Sequence, residues 1–187
     1  ASIALQLHVL SDLHLEVDPA FRPPGTGADV LILDGDIAPG TDGMTAFANH
    51  GTPVIYVPGN HEFYHSDVAA MRERLRAHAA SAGIHFLDCD ELVLDGVRFL
   101  GTTLWTDFDL YGPSRLAEVF AESKRFVTDF RTIRHGERLL TPEDTIDFHR
   151  KALAWLTARL DEPFAGSTVV ITHHAPHPAS IHPRWHD

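Results

Sequence analysis

Short apolar runs alternate with amphipathic segments along this 187-residue chain. Residues 3–10 alternate and then become apolar, and residues 28–33, 54–57 and 168–171 are almost continuously apolar. Runs of this kind are typical of strands, and the continuous ones of strands buried on both faces. Helical apolar spacing predicts helices in the segments between them, at 41–50, 66–83, 116–130 and 141–160. The alternation predicts an α/β domain with a largely parallel or mixed sheet.

Local signals define several element ends. Ser66 is the predicted N-cap of one helix and Gly83 its stop, and Thr141-Pro142 opens a later helix. Asp95-Gly96 between two β-rich runs predicts a hairpin. The expected buried positions of the last helix are Ile146, Leu153, Leu156 and Leu160, and those of the segment before it are Leu116, Val119, Phe120, Val127 and Phe130.

Polar side chains follow four of the predicted strands, at the point where each strand ends. They are Asp12 and His14, Asp36, Asn60 and His61, and His173 and His174. Each group alone has an ordinary interpretation, since an aspartate there is often a turn or cap residue and a lone histidine often belongs to the core or surface. Ligands of open α/β sheets bind beyond the carboxyl ends of the strands. The recurrence therefore predicts a functional site at this edge.

Charge and residue counts narrow the function. The 26 acidic and 15 basic side chains give a net charge of -11, which argues against binding to nucleic acid or an anionic membrane. Bound divalent cations would still allow an anionic substrate. The 14 histidines point to metal binding. One cysteine, Cys89, excludes an internal disulfide and favours a reducing compartment, so we expect a cytoplasmic protein with no membrane partner.

The donor types indicate which metals would bind. Carboxylates, imidazole nitrogens and an amide oxygen suit manganese, iron or zinc, whereas thiolate-preferring metals are disfavoured. Two carboxylates with several neutral donors also suit two divalent ions that share a bridging ligand. Such pairs, about 3.5 to 4 Å apart, are suited to in-line phosphoryl displacement.

Four blocks in order, each after an apolar strand, resemble the calcineurin-like metallophosphoesterases. The blocks are Asp12-Leu13-His14, Gly35-Asp36, Gly59-Asn60-His61-Glu62 and Thr172-His173-His174. The resemblance covers nearly the whole chain. It implies a four-layer α/β/β/α sandwich of mixed sheets, a single domain over residues 1–187, and two metal ions at the sheet edge.

The resemblance also implies a role for each residue. Asp12 and His14 would hold the first metal, Asp36 would bridge both metals, and Asn60 and His173 would hold the second. His61 would be the catalytic histidine, which stabilises transition-state charge or protonates the leaving oxygen. Glu62 would orient its neighbours, and His174 is the alternative to His173. Asp34 is either a partner of a metal ligand or a simple turn carboxylate.

The implied function is hydrolysis of small phosphomonoesters or phosphodiesters by a metal-bridging hydroxide. Cyclic nucleotides and nucleic acids stay open as substrates, although the net charge disfavours long nucleic acid. The alternatives are a non-catalytic scaffold and a metal-binding regulator on the same fold. Trp105 and Phe108 either wall the substrate pocket or belong to the core. The sequence does not define the oligomeric state.

One departure from the family pattern concerns two further histidines in a Gly-His-x-His block. The sequence lacks this block, so each metal would lack one ligand. We expect a shortened form without the final histidine-bearing strand and loop, or a form without a disordered tail. His177, His182 or His186 would substitute for the block if the end of the chain is not simply a flexible, solvated tail.

Overall fold

Two sheets and a small hairpin form the β structure of the computed structural model, which describes residues 5–182 and residue 184. The first sheet is parallel and has the order β1-β2-β3-β4. Its strands are β1 (Leu7–Leu10), β2 (Val30–Asp34), β3 (Val54–Val57) and β4 (His85–Phe86). The second sheet consists of β5 (Asp90–Leu94), β6 (Val97–Thr102) and β9 (Thr168–Thr172), and the hairpin of β7 (Arg134–His135) and β8 (Arg138–Leu139).

The second sheet is mixed. Strand β6 pairs antiparallel with β5 through the predicted hairpin and parallel with β9, so that Thr102 lies opposite Thr172. Loops from the carboxyl ends of both sheets meet, because the Thr103 hydroxyl donates a 2.8 Å hydrogen bond to the carbonyl of Pro58. The strand ends that carry the polar blocks therefore converge on one edge.

The helices lie outside the sheets and between the strands in sequence. They are α1 (Asp42–Phe47), α2 (Val68–Ala82), α3 (Leu116–Phe126), α4 (Asp129–Thr132) and α5 (Pro142–Asp161). Single 3₁₀ turns occur at His61–Phe63, Asp109–Tyr111, Pro113–Arg115 and Pro178–Ser180. Within the described residues, no helix combines the length and apolar character that a membrane crossing requires.

Three apolar layers separate four layers of secondary structure. Alternate side chains of β2 face opposite ways: Leu31 and Leu33 pack toward α1 and α2, whereas Ile32 packs against Phe99 and Ile171 of the second sheet. On the outer face of the second sheet, Leu100 and Leu104 pack against Ala152 and Leu156 of α5. The predicted four-layer α/β/β/α sandwich is therefore confirmed.

The ends of α2 correct one prediction and confirm another. Its N-cap is Asp67 and not Ser66, because the Asp67 carboxylate accepts a 3.0 Å hydrogen bond from the backbone N–H of Ala70. Gly83 ends the helix in the left-handed conformation, with φ of 69°.

The burial expected of the later helices was partly wrong. Leu153 and Leu160 are each 50% exposed. The small side chain of Ala152 lets α5 approach the second sheet, so its contact is centred on Ala152 and Leu156. Val127 is outside the helix, because α3 ends at Phe126 and the backbone at Val127 is extended. The capping box at Thr141 and the proline at the start of α5 agree with the sequence signal.

Candidate metal centre

Asp36 lies at the middle of the candidate site, in the turn that follows β2. It is 5% exposed, and its Oδ1 accepts a 2.9 Å hydrogen bond from the backbone N–H of His61. Two groups of possible metal ligands share it among the described residues: Asp12, Asp36 and His173, and His14, Asp36 and His61. In each group the candidate ligand atoms lie within 4.8 Å of one another. This shared position is the one that a bridging carboxylate would occupy.

The backbone of this site is strained. Asp12, His14 and Asp36 all have left-handed φ values, of 54°, 46° and 53°. Such a conformation costs a non-glycine residue about 1–2 kcal/mol and persists only where surrounding contacts impose it. Here the N–H groups of Asp12 and His14 donate to the carbonyls of Gly35 and Asp36 at 3.0 and 3.1 Å. The loop after β1 is thereby fixed along the loop after β2.

Glu62 connects the loops that follow β2 and β3. Its carboxylate is fully buried and accepts hydrogen bonds from four donors. They are the backbone N–H groups of Asp36, Ile37 and Gly59, at 3.0, 3.0 and 2.7 Å, and the Tyr56 hydroxyl at 2.7 Å. Burial raises the pKa of Glu62, whereas the hydrogen bonds from Tyr56 and the backbone oppose this. All four donors require an acceptor, so the carboxylate organises the loops around Asp36.

Asn60 is held by a carboxylate from another part of the chain. Its Nδ2 donates a 2.9 Å hydrogen bond to Oδ1 of Asp129, which also accepts a 3.0 Å hydrogen bond from the Tyr64 hydroxyl. Asp129 is 6% exposed, and burial raises its pKa. Because a carboxylate accepts from the amide nitrogen, the amide oxygen of Asn60 turns the other way, toward His173.

His173 presents one ring nitrogen to the same place. Its Nδ1 donates a 2.9 Å hydrogen bond to the backbone carbonyl of Asp34, which leaves a lone pair on Nε2. That Nε2 lies 3.3 Å from Oδ1 of Asn60 and 3.4 Å from Oδ1 of Asp36. When the ring is neutral and Nδ1 carries its proton, Nε2 and the two oxygens turn lone pairs toward one another, an arrangement that suits a bound cation.

His14 and His61 occupy the more open side of the cluster. Their rings are 4.5 Å apart, and Nδ1 of His14 lies 3.1 Å from Oε1 of Glu16. His61 is 3.7 Å from Glu16 through Nδ1 and 3.7 Å from Oδ2 of Asp36 through Nε2. The His61 ring also packs on Tyr64, with the ring centroids 4.1 Å apart.

The structure groups the predicted ligands differently from the resemblance in one respect. Asp12 groups with Asp36 and His173, and His14 groups with Asp36 and His61, whereas the resemblance joins Asp12 to His14. The hydroxyl of Ser11 donates to Asp12 and lies 3.0 Å from the Asp34 carbonyl. The structure brings all the predicted ligands to one cluster around Asp36.

Two glycines leave the room that the residues of this cluster need to pack closely. A Cβ added to Gly59 would lie 2.8 Å from Nε2 of His173 and would collide with the Asp36 carboxylate. A Cβ added to Gly35 would lie 2.6 Å from Cγ of His173, and the φ of Gly35 is +79°. Only glycine fits at these two positions.

His174 lies beside the cluster but outside both ligand groups. Its Nδ1 donates a 3.1 Å hydrogen bond to the carbonyl of Thr103, and its ring stacks on Trp105. Burial lowers the pKa of His174 to about 4, so the imidazole is neutral at physiological pH. Asp34 has a buried Oδ1 without a hydrogen-bond partner, and burial raises the pKa of Asp34 to about 6.

The histidines near the end of the chain stand apart from the candidate ligands. Nδ1 of His177 accepts a 3.1 Å hydrogen bond from the backbone N–H of Ala179, and Nδ1 of His182 accepts one from Arg184. Neither histidine belongs to the two ligand groups found among the described residues. His186 lies outside the described residues.

Three residues of the site did not emerge from the sequence. Glu16 follows His14 by two positions, a spacing that could have indicated it. Tyr64 comes two residues after the Gly59-Asn60-His61-Glu62 block, but its hydroxyl carries no sequence signal. Asp129 follows no strand and is 69 positions from Asn60. Only the folded chain connects it to the cluster.

Three comparisons with known proteins bear on this geometry. The calcineurin-like phosphoesterase family model matches residues 5–186. A comparison with curated proteins gave no match. Among solved structures, the chain is similar to a phosphopantetheinyl hydrolase from Mycobacterium tuberculosis, with a TM-score of 0.65 and 23% sequence identity. The similarity covers 94% of this chain and 70% of the other, and it shows a shared fold.

Proposed function

Since this chain belongs to the calcineurin-like phosphoesterase family and is a phosphoric ester hydrolase, we propose that it hydrolyses small phosphate esters with two divalent metal ions held around Asp36. One ion would be held by Asp12, His14 and Asp36, the set that the family resemblance implies, with Asp36 shared by both candidate ligand groups. The other would be held by Asp36, Asn60 and His173. Manganese, iron or zinc suits this set of oxygen and imidazole donors.

One observation carries the metal proposal. Nε2 of His173 lies 3.3 Å from Oδ1 of Asn60 and 3.4 Å from Oδ1 of Asp36, so that with a neutral ring three atoms bearing lone pairs meet at one place. Hydrogen bonds on the far side of two of these residues impose this orientation. Nδ1 of His173 donates to the backbone carbonyl of Asp34, and Nδ2 of Asn60 donates to the carboxylate of Asp129. Such buttressing of ligands by outer hydrogen bonds is typical of metal sites.

Two divalent ions held there would supply a nucleophilic water at neutral pH and positive charge for the phosphoryl oxygens. The chain itself supplies the remaining groups. His61 lies on the open side, with Nε2 toward Asp36 and Nδ1 toward Glu16. We propose that Nε2 of His61 gives a proton to the leaving oxygen. Glu16 would stabilise the protonated ring from the other side.

The substrate is proposed to be a small monoester or diester. The net charge of -11 disfavours long nucleic acid. The name of the Mycobacterium tuberculosis protein indicates a phosphopantetheinyl substrate for that protein, but 23% identity supports fold similarity alone. A pure scaffold has no need of this donor set, so the enzyme interpretation is preferred. The single cysteine is consistent with a cytoplasmic location.

Metal-dependent hydrolysis tests this function. The purified chain is stripped with a chelator and assayed on 4-nitrophenyl phosphate and bis(4-nitrophenyl) phosphate, with and without added manganese, iron or zinc. We expect hydrolysis of at least one ester only after metal is restored. Asp36→Asn should abolish that activity, whereas Asp42→Asn, at an exposed carboxylate on α1, should preserve it. Hydrolysis that persists in Asp36→Asn or after stripping would contradict the proposal.

A further inference from the structure

A cavity of about 530 Å³ lies beside the candidate metal centre. Its wall comes from the loop after β6, from one face of α5 and from the segment after β9. The volume is in the range that holds a small organic ligand. No step assigned above to the metal cluster uses this cavity.

Two adjacent histidines place the cavity next to the metal cluster. His174 lines the cavity, and its ring lies 5.0 Å from the ring of the metal-ligand candidate His173. On its other side His174 stacks on Trp105, with the centroids 5.9 Å apart. Strands β6 and β9 are parallel, so both of their carboxyl ends open toward this place. A phosphate bound at the metal cluster would therefore have the cavity within reach of its ester substituent.

The lining is mostly apolar, and its charged members are acidic. The apolar part includes Trp105, Phe108, Leu153 and Ile181. Asp107 and Asp109 are the acidic contributions, His149, His174 and His177 add imidazole rings, and the described lining residues include no lysine or arginine. Such a wall favours an uncharged, apolar group and offers a further phosphate or carboxylate no lysine or arginine as a partner.

The loop on the β6 side has a fixed shape. Leu104, Trp105 and Phe108 are left-handed, with φ values of 67°, 58° and 59°. His149 of α5 holds this loop, because its Nδ1 donates a 3.4 Å hydrogen bond to the Trp105 carbonyl and its Nε2 lies 3.7 Å from Asp107. Trp105 is 3% exposed, so it serves the core as well as the cavity wall.

We propose that this cavity binds the leaving group of the substrate, an uncharged and largely apolar alcohol or phenol, and that it selects esters of such groups over small alkyl or anionic esters. The inference rests on the proposed phosphoesterase function. It narrows the substrate class from any small phosphate ester to one with a sizeable apolar substituent.

Leu153 and Leu160 offer a matched test of the cavity. Both lie on α5 seven residues apart, both are 50% exposed, and only Leu153 lines the cavity. The substrates are 2-naphthyl phosphate and ethyl phosphate, each also as its methyl diester, and the measured quantity is the naphthyl-to-ethyl ratio of kcat/KM. Binding of 2-naphthylmethylphosphonate, measured by calorimetry, provides a readout without turnover.

Leu153→Asp is expected to lower the naphthyl-to-ethyl ratio at least fivefold and to weaken phosphonate binding by a similar factor. Leu153→Trp should lower the ratio by filling the space, and Leu160→Asp should leave it within twofold of the wild-type value. An unchanged ratio in Leu153→Asp, or an equal fall in Leu160→Asp, would overturn the cavity assignment while hydrolysis itself stands. If the wild type hydrolyses neither ester pair, the proposed function fails and the cavity assignment falls with it.

Discussion

The carboxylate of Asp129 receives a 2.9 Å hydrogen bond from the side-chain amide of Asn60, across 69 positions of sequence. This contact fixes which atom of Asn60 faces His173. With the amide nitrogen engaged, the oxygen lies 3.3 Å from Nε2 of His173. Asp129 therefore acts as a positioning residue for a proposed metal ligand, although it is not itself among the candidate ligands.

Replacing Asp129 with leucine should weaken metal binding. Without an acceptor for its Nδ2, the Asn60 amide is free to rotate, and loss of such an outer-shell partner typically costs 10- to 100-fold in metal affinity. Titration of the metal-free protein with Mn²⁺ by calorimetry measures the change. Asp129→Asn keeps an acceptor and should recover part of the affinity. A lower melting temperature with unchanged metal affinity would show that Asp129 has only a structural role.

His61→Asn should separate catalysis from metal binding. Because His61 is assigned to proton transfer, we expect kcat to fall by about 10²- to 10⁴-fold, while the metal content per chain stays at the wild-type level. Elemental analysis and steady-state kinetics on one preparation give both numbers. His50→Asn, at an exposed histidine, is the control. Loss of one metal in His61→Asn would instead identify His61 as a ligand, as its grouping with His14 and Asp36 allows.

Gly35→Ala and Gly83→Ala distinguish crowding at the metal cluster from backbone strain. Both glycines have positive φ, +79° and +69°, but only a Cβ at Gly35 would meet neighbours, among them His173. Gly83→Ala should lower the free energy of unfolding by roughly 1 kcal/mol and leave metal affinity unchanged. Gly35→Ala should weaken Mn²⁺ binding at least tenfold because His173 must move. Equal metal affinity in the two variants would refute the steric argument.

Asp144 should give the N-terminus of α5 a pH-dependent stability. Hydrogen bonds from Arg138, and from the backbone N–H and hydroxyl of Thr141, hold the pKa of this 8% exposed carboxyl well below its usual range. When pH falls, the unfolded chain takes up the proton first, so the stabilisation is complete above about pH 4 and is lost as pH falls toward the folded pKa.

Asp144→Asn should therefore cost about 1–2 kcal/mol at pH 7 and less at pH 3. Urea unfolding at both pH values, in the presence of a chelator, measures this difference. Asp147→Asn changes an exposed carboxylate on the same helix and should have little effect at either pH. A cost that is equal or larger at pH 3 would contradict the assigned pKa shift.

The fold was predictable where periodicity was strong. Continuous apolar runs gave the buried strands β2 and β3, and their alternate side chains fill two different core layers. The extent of burial on α5 was not predictable, because it depends on how closely Ala152 lets the helix approach the second sheet. The N-cap at Asp67 instead of Ser66 reflects two adjacent residues of nearly equal capping ability.

The candidate site was predictable only as far as it lies in the motif blocks. Asp12, Asp36 and Asn60 follow neighbouring parallel strands of the first sheet, which brings them to one edge, whereas His173 follows β9 and reaches that edge because the second sheet packs against the first. Asp129 and most of the cavity wall lie outside the motif blocks, although His174 belongs to one of them. Their positions follow from tertiary packing of the segment between β6 and α5 and, for the cavity, of α5 and the segment after β9, which local propensity does not define.

Metal content measured together with hydrolysis tests the central claim most directly. The wild-type chain and Asp36→Asn are purified in the same way, loaded with manganese, desalted and analysed for metal per chain and for ester hydrolysis on the same sample. Two ions around a shared carboxylate predict about two metals per wild-type chain, and a loss of both metals and activity in Asp36→Asn. A wild-type chain that retains no metal but hydrolyses the ester, or an Asp36→Asn variant that retains two metals, would contradict the account.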